Sequence, residues 1–205
     1  MHKFNPSEHK KLNLEERYRL MPPELFIDEI AKEAGNLSKK EGAFVLADVG
    51  CGSGFFSIPL IKRLQNKNIL FFALDISTEM LGIFIKNLKA EIDESNLPKI
   101  KTLQSEEAFL PLGDRSVDLL ILTNVFHEIE NRKAFLNELK RVLKKRGTLF
   151  VLDWDKEDKN PFMGPPISER VSEKETQAVL TELNFKGIRA LPLYSSSFVI
   201  RAENL

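Results

Sequence analysis

A chain of 205 residues is long enough to bury a sizeable core and to hold one full α/β domain. Its 30 lysines and arginines balance 30 aspartates and glutamates, and this zero formal charge argues against a non-specific nucleic-acid binder, which needs a basic surface. Cys51 is the only cysteine, so an intrachain disulfide and a multi-cysteine metal centre are excluded, and no metal site is read from the sequence.

The N-terminal "MHKFNPSEHKK" is too polar for a signal peptide, and no apolar run approaches a membrane span, so a cytoplasmic protein outside the membrane is expected. "LNLEERYRLMPPELFIDEIAKEAG" reads as two short helices, with Asn13 as N-cap and Glu16 three residues on, a break at Pro22 and Pro23, and Gly35 as the stop. "AFVLADVG" is an unbroken apolar run, as a strand buried on both faces requires, and "FFSIPLIKRLQNK" after it turns helical. "NILFFALDIS" is a second strand, with Ser77 capping the helix "TEMLGIFIKNLKAEID". "KIKTLQSEEAF" and "SVDLLILTNVF" give two more strands, "NRKAFLNELKRVLKK" a helix, and "GTLFVLDW" a fifth strand. The basic "LKRVLKKRG" reads as a solvated helix C-terminus complementing the helix dipole. "SEKETQAVLTELNF" opens with a capping box, Ser172 and Glu175, and "KGIRALPLY" and "SSFVIRAEN" are the last two strands.

Alternating strands and helices predict an α/β fold: a doubly wound, seven-stranded, mostly parallel sheet, with N-terminal helices in front. The last two strands have no helix between them and must pair antiparallel. Residues 1–40 are expected to form a helical extension and residues 41–205 one folding unit.

In such sheets ligands bind at the carboxyl ends of the strands, and the first strand ends in "LADVGCGSGFF". Three glycines, Gly50, Gly52 and Gly54, let a ligand approach the backbone closely. Phe55 stands where the dinucleotide pattern G-x-G-x-x-G needs glycine, and no lysine follows Gly54 as a phosphate loop requires. Asp48 before the loop would repel a pyrophosphate and suits a cationic amino group.

"VLADVGCGSG" resembles the first motif of the class I S-adenosylmethionine-dependent methyltransferases, and the element order from about Phe44 to Ala202 is similar to theirs. The resemblance implies a Rossmann-like methyltransferase fold and S-adenosylmethionine as cofactor, with S-adenosylhomocysteine as product. It places Asp48 at the cofactor's methionine amino group, and Gly50, Cys51, Gly52 and Gly54 along its methionine and ribose portions. Asp75, in "ALDIS", matches the acidic residue that holds both ribose hydroxyls; the other reading of Asp75 is a helix N-cap. Ile76 falls where the family presents an apolar side chain to the adenine. "SEEAFLPLGDRSVDLLIL" resembles the family's GDAxxLPFxDxSFDLV stretch, which puts the Glu106 carboxylate at the adenine amino group and the Glu107 backbone beside it, with glutamate standing for aspartate and serine for glycine. Asp118, at the start of the fourth strand, reads as structural.

In "TNVFHEIEN" the resemblance sets Asn124 beside the methionine side of the cofactor and His127 toward the substrate. His127 is thus the candidate general base, against a packing role on the following helix; a base is needed where the acceptor atom carries a proton. The segment from Asp153 to Ile167 is a long connection holding Trp154, Phe162 and Met163 among Pro161, Pro165 and Pro166, either substrate-contacting or an aromatic plug. The closest resemblance is to the quinone-biosynthesis carbon methyltransferases and their small relatives. It implies a small-molecule acceptor. An RNA or protein substrate, a nicotinamide oxidoreductase and a non-catalytic cofactor-binding protein of the same fold remain the other readings.

Overall fold

The computed structural model describes residues 4–37, 42–93, 99–158 and 163–205. Seven strands form one sheet in the order β3-β2-β1-β4-β5-β7-β6: β1 (Phe44–Val49), β2 (Ile69–Asp75), β3 (Lys99–Gln104), β4 (Val117–Thr123), β5 (Leu143–Trp154), β6 (Lys186–Ala190) and β7 (Ser197–Glu203). β1 pairs with β2, β2 with β3 and β4 with β5 in parallel, whereas β7 runs antiparallel to both β5 and β6. The predicted mostly parallel sheet with a reversed last strand is therefore the observed one.

The described residues cluster into two compact units, Phe4–Ser105 and Glu106–Leu205. The first holds α1 (Glu15–Leu20), α2 (Pro23–Leu37), α3 (Ser57–Leu64), α4 (Thr78–Glu91) and strands β1 to β3, preceded by a 3-10 helix over Pro6–Asn13. Its core is built on Leu46 and Ala47 of β1 and Phe71, Ala73 and Leu74 of β2, all essentially inaccessible. β3 is an edge strand, and its half-polar sequence KIKTLQ matches its partly exposed side chains. Two expectations fail here. Asn13 does not cap α1: Leu14 sits at the N-cap with no side-chain bond, and the Asn13 Oδ1 accepts from the Ser53 hydroxyl at 3.0 Å instead. Gly35 does not end α2, which continues to Leu37.

The second unit holds β4 to β7, α5 (Arg132–Val142) and α6 (Glu173–Glu182). Every residue of β4 is buried, as are the eight residues from Gly147 to Trp154 of β5, as strands covered on both faces require. The capping box on α6 forms as its sequence predicts: the Glu175 N–H donates to the Ser172 hydroxyl at 3.2 Å, and the Glu175 carboxylate accepts from the Ser172 N–H at 2.9 Å. The basic end of α5 is more engaged than a solvated terminus. Arg141 bonds Glu138, Asp114 and the Leu110 and Leu112 carbonyls, Lys140 reaches the Leu183 carbonyl, and Lys144 pairs with Asp118 at 2.7 Å. Asp118 thus has a structural partner.

Trp154 at the end of β5 is buried, with the Arg170 guanidinium 5.5 Å from its ring and Gly164 packed against it. A Cβ on Gly164 would lie 2.6 Å from the indole, so the close approach requires glycine. Arg170 gathers the segment by donating to the Met163, Pro165 and Asp155 carbonyls and to Asp158. This favours the plug reading for Trp154; Met163 and Pro165 are half-buried and Pro166 is exposed, while Pro161 and Phe162 lie outside the described residues.

Candidate functional site: a glycine cradle and a histidine–aspartate pair

In the unit Phe4–Ser105 the end of β1 runs into the glycine loop. The register pairs Asp48 with Ala73 and Val49 with Leu74, and the Gly50 and Cys51 N–H groups both donate to the Leu74 carbonyl at 2.8 and 2.9 Å. The loop therefore leaves the strand tied to the end of β2. All three glycines take positive φ: 77° at Gly50, 53° at Gly52 and 91° at Gly54. This conformation suits glycine because any other residue's Cβ would crowd the backbone. Gly54 has a second reason, since a Cβ there would stand 2.6 Å from Ile58 Cδ1 and 3.0 Å from Phe84.

Asp75 ends β2 and fastens the loop. One carboxylate oxygen accepts from the Gly52 N–H and the other from the Ser77 N–H, both at 2.9 Å. Ser77, as predicted, caps α4 by accepting from the Met80 N–H at 3.2 Å, so Asp75 is not the helix cap. Each carboxylate oxygen keeps a further lone pair for a ligand hydroxyl. Burial raises the Asp75 pKa, and the backbone donors pull it back. Ile76, next in the chain, leaves 41% of its surface exposed, an apolar face beside an acid.

Asp48 is almost fully buried, with 1% of its surface exposed. The Ser57 hydroxyl donates to its Oδ2, and its Oδ1 has no partner. Burial pushes this carboxyl up to about 7, against the Ser57 bond, with the Asp75 charge adding to the rise. A buried acceptor left unsatisfied is costly, and a cationic donor arriving from a ligand would relieve it. Burial likewise drives the Cys51 thiol upward, so Cys51 contributes backbone rather than a reactive sulfur.

The unit Glu106–Leu205 holds the second cluster. Beyond β4, Asn124 takes a left-handed φ of 55° while its N–H donates to the Leu152 carbonyl at 2.8 Å. A 3-10 turn over Phe126–Glu128 follows. This reversal presents His127 to Asp153 on β5: the His127 N–H donates to Asp153 Oδ2 at 2.9 Å, and the ring Nδ1 lies 2.7 Å from Oδ1. The Trp154 N–H also donates to Oδ1, at 2.7 Å, and Asp153 is wholly inaccessible. An acceptor at Nδ1 fixes the proton there and leaves Nε2 as the basic nitrogen, with the Glu128 carboxylate 3.8 Å from it. Burial works to lower the His127 pKa, but the charge and hydrogen bond of Asp153, with Glu128 and Glu169, outweigh it and raise the value.

Sequence reasoning brought out His127 and missed Asp153 as its partner. Asp153 was visible only as an acid at the carboxyl end of a buried strand. Glu106 lies exposed on a short antiparallel bridge with Phe109, and Glu107, half-buried, accepts from the Glu130 N–H at 3.2 Å. Among the described residues there is no group of three or more His, Cys, Asp or Glu placed to hold a metal ion, and no helix long and apolar enough to cross a membrane.

Residues 47–151, half of the chain, match the family described as "Methyltransferase domain". The crystal structure of an S-adenosylmethionine-dependent methyltransferase from Aquifex aeolicus is 31% identical and superposes with a TM-score of 0.82, covering 99% of this chain and 100% of that one. The chain therefore belongs to the class I S-adenosylmethionine-dependent methyltransferase family, and the cofactor of that family is S-adenosylmethionine. It is also similar to a malonyl-[acyl-carrier protein] O-methyltransferase of Ilyobacter polytropus, at 31% identity over 59% of this chain and 43% of that protein. A ubiquinone/menaquinone biosynthesis C-methyltransferase of Campylobacter jejuni is 30% identical over 58% of this chain and 48% of its own length. The chain thus spans about half the length of these curated relatives.

The residues present fit the cofactor: the loop of left-handed glycines gives close backbone approach, and the unsatisfied Asp48 Oδ1 is an acceptor awaiting a donor.

Proposed function

We propose that the chain transfers a methyl group from S-adenosylmethionine to a small-molecule acceptor by in-line displacement, leaving S-adenosylhomocysteine. The observation that carries this reading is the tether between Asp75 and the middle glycine of the loop, which sets a carboxylate, an apolar neighbour and a bare backbone around one place. When bound, the cofactor supplies an electrophilic methyl carbon on a sulfonium. Asp48 would receive its amino group, the backbone of Gly50, Cys51, Gly52 and Gly54 would lie along it, and Asp75 would accept from the two ribose hydroxyls. Ile76 would face the adenine, the Glu106 carboxylate would accept from the adenine amino group with the Glu107 backbone beside it, and Asn124 would line the methionine side.

His127 would remove the proton from the acceptor through Nε2, while Asp153 holds the ring and stabilises the imidazolium that forms. A base of this kind supports an acceptor that carries a removable proton, a carbon acid or a hydroxyl, over a carboxylate that is already ionised. The neutral net charge supports a small molecule over nucleic acid, and the composition supports a cytoplasmic protein. Residues 41–205 would form the transferase unit and residues 1–40 its helical extension.

The first test is thermal unfolding with S-adenosylhomocysteine, and separately with a nicotinamide dinucleotide. A ligand at a hundredfold excess over its Kd stabilises by about 2.7 kcal/mol, so the homocysteine alone should raise Tm. A shift with the dinucleotide alone would overturn the reading. Methyl-labelled S-adenosylmethionine offered with carbon-acid and hydroxyl acceptors then tests turnover, and label found only in co-purifying RNA or protein would replace the small-molecule assignment.

A further inference from the structure

Arg17 is buried to 7% exposure on α1, a helix that precedes the residues matched by the methyltransferase family. Its guanidinium lies 4.2 Å from the centre of the Phe55 ring, and Nη1 donates to the Leu12 carbonyl at 2.8 Å. Its Nε has no hydrogen-bond partner, and Tyr18 is the one titratable neighbour that acts on its charge among the described residues. Burial lowers its pKa to about 10, which still leaves it charged at neutral pH. A buried cation with an idle donor is a structural expense unless an anion arrives to meet it.

The surroundings say where that anion would be. Segment 12–18 lies on the glycine loop: Leu12 Cδ1 is 3.7 Å from the position of a Cβ on Gly52, Asn13 accepts from Ser53 at 3.0 Å, and the Tyr18 ring packs on Phe55 with centroids 4.6 Å apart. Within Phe4–Ser105 the described residues have two buried side-chain atoms with no partner, Arg17 Nε and Asp48 Oδ1. One is a donor on a cation and the other an acceptor on an acid. That is the complement of an α-amino acid, which brings an ammonium and a carboxylate together.

We infer that Arg17 anchors the carboxylate of the cofactor's methionine moiety, while Asp48 takes its amino group. The assignment rests on the glycine loop being the cofactor's cradle. The guanidinium, stacked on Phe55 and held by the Leu12 carbonyl, is oriented before the ligand binds.

The test compares two probes by isothermal titration. S-adenosylhomocysteine carries the amino acid; 5′-methylthioadenosine has the same nucleoside and thioether without it. Arg17→Met should weaken S-adenosylhomocysteine by about 10–100-fold, the range expected for a charged hydrogen bond, and leave methylthioadenosine within about twofold. Arg17→Lys keeps the charge without the fork and should fall between; it also serves if circular dichroism shows that the methionine variant is unfolded. Equal losses for both probes, or no loss for either, would overturn the assignment while leaving the cradle in place. A wild-type protein that binds methylthioadenosine as tightly as S-adenosylhomocysteine would overturn it too. Wild-type protein that binds neither probe would instead bring down the cradle itself, and the assignment with it.

Discussion

Two buried aspartates at strand ends meet opposite fates. Asp153 accepts from three donors, the His127 N–H, the His127 ring and the Trp154 N–H, so its charge is satisfied by its own unit. Asp48 receives one bond from Ser57, keeps a bare oxygen and rises to about 7. The first is finished within the fold, and under the proposed function it would hold a catalytic ring. The second is left unfinished by the fold, and under the proposed function the cofactor's amino group would complete it.

If the contrast holds, the largest effect comes from the finished pair. His127→Ala should lower turnover by about 10²–10⁴-fold with S-adenosylhomocysteine affinity unchanged. A fall in affinity instead would return His127 to packing. Asp153→Asn acts through the ring. Because a base must be neutral to accept a proton, activity should rise with pH through a His127 pKa above 6.5, and the variant should bring that limb down. The same raised pKa stabilises the fold below the unfolded value and loses that contribution as pH rises through the folded one. With three histidines in the chain, imidazole NMR can follow His127 without an acceptor.

Next comes Asp75→Ala, expected to cost about 100-fold in S-adenosylhomocysteine affinity by calorimetry, since a charged carboxylate serving two hydroxyls is lost. Undiminished affinity would remove the ribose assignment. Asp48→Asn sharpens the contrast most, because its two effects have opposite signs. A carboxyl raised to about 7 keeps its proton in the native state after the unfolded chain has lost it, so stability falls as pH rises from about 4 to 7. The variant should lack that slope, gain roughly 2–4 kcal/mol in denaturant unfolding at neutral pH, and bind S-adenosylhomocysteine more weakly. Smallest are the glycines. Gly54→Ala, with Ile58 in the way, should cost about 2–3 kcal/mol, and Gly52→Ala, which meets only ordinary contacts, about 1 kcal/mol for its φ.

The glycine loop was legible because its chemistry is local: a strand end, glycines and an acid, all within seven residues. Asp75 was legible by the same logic one strand later, and Ser172 with Glu175 because a capping box closes over three residues. What escaped depended on partners far along the chain. Asp153 meets His127 across 26 positions, through neighbouring strands whose pairing no local pattern records. Asn13 carried a capping signature, yet Ser53, 40 residues on, took its side chain. Arg17 sits among charged neighbours in EERYRL, and nothing in that run distinguishes the one guanidinium that the fold encloses.

The solitary thiol at position 51 gives the loop a chemical clock. Cys51 is enclosed and held protonated by its surroundings, so an alkylating reagent in neutral buffer can reach a reactive sulfur only during excursions in which the loop comes away. With no other sulfhydryl in the chain to contribute background, the alkylation rate reports how often the cradle opens and how far a ligand keeps it shut.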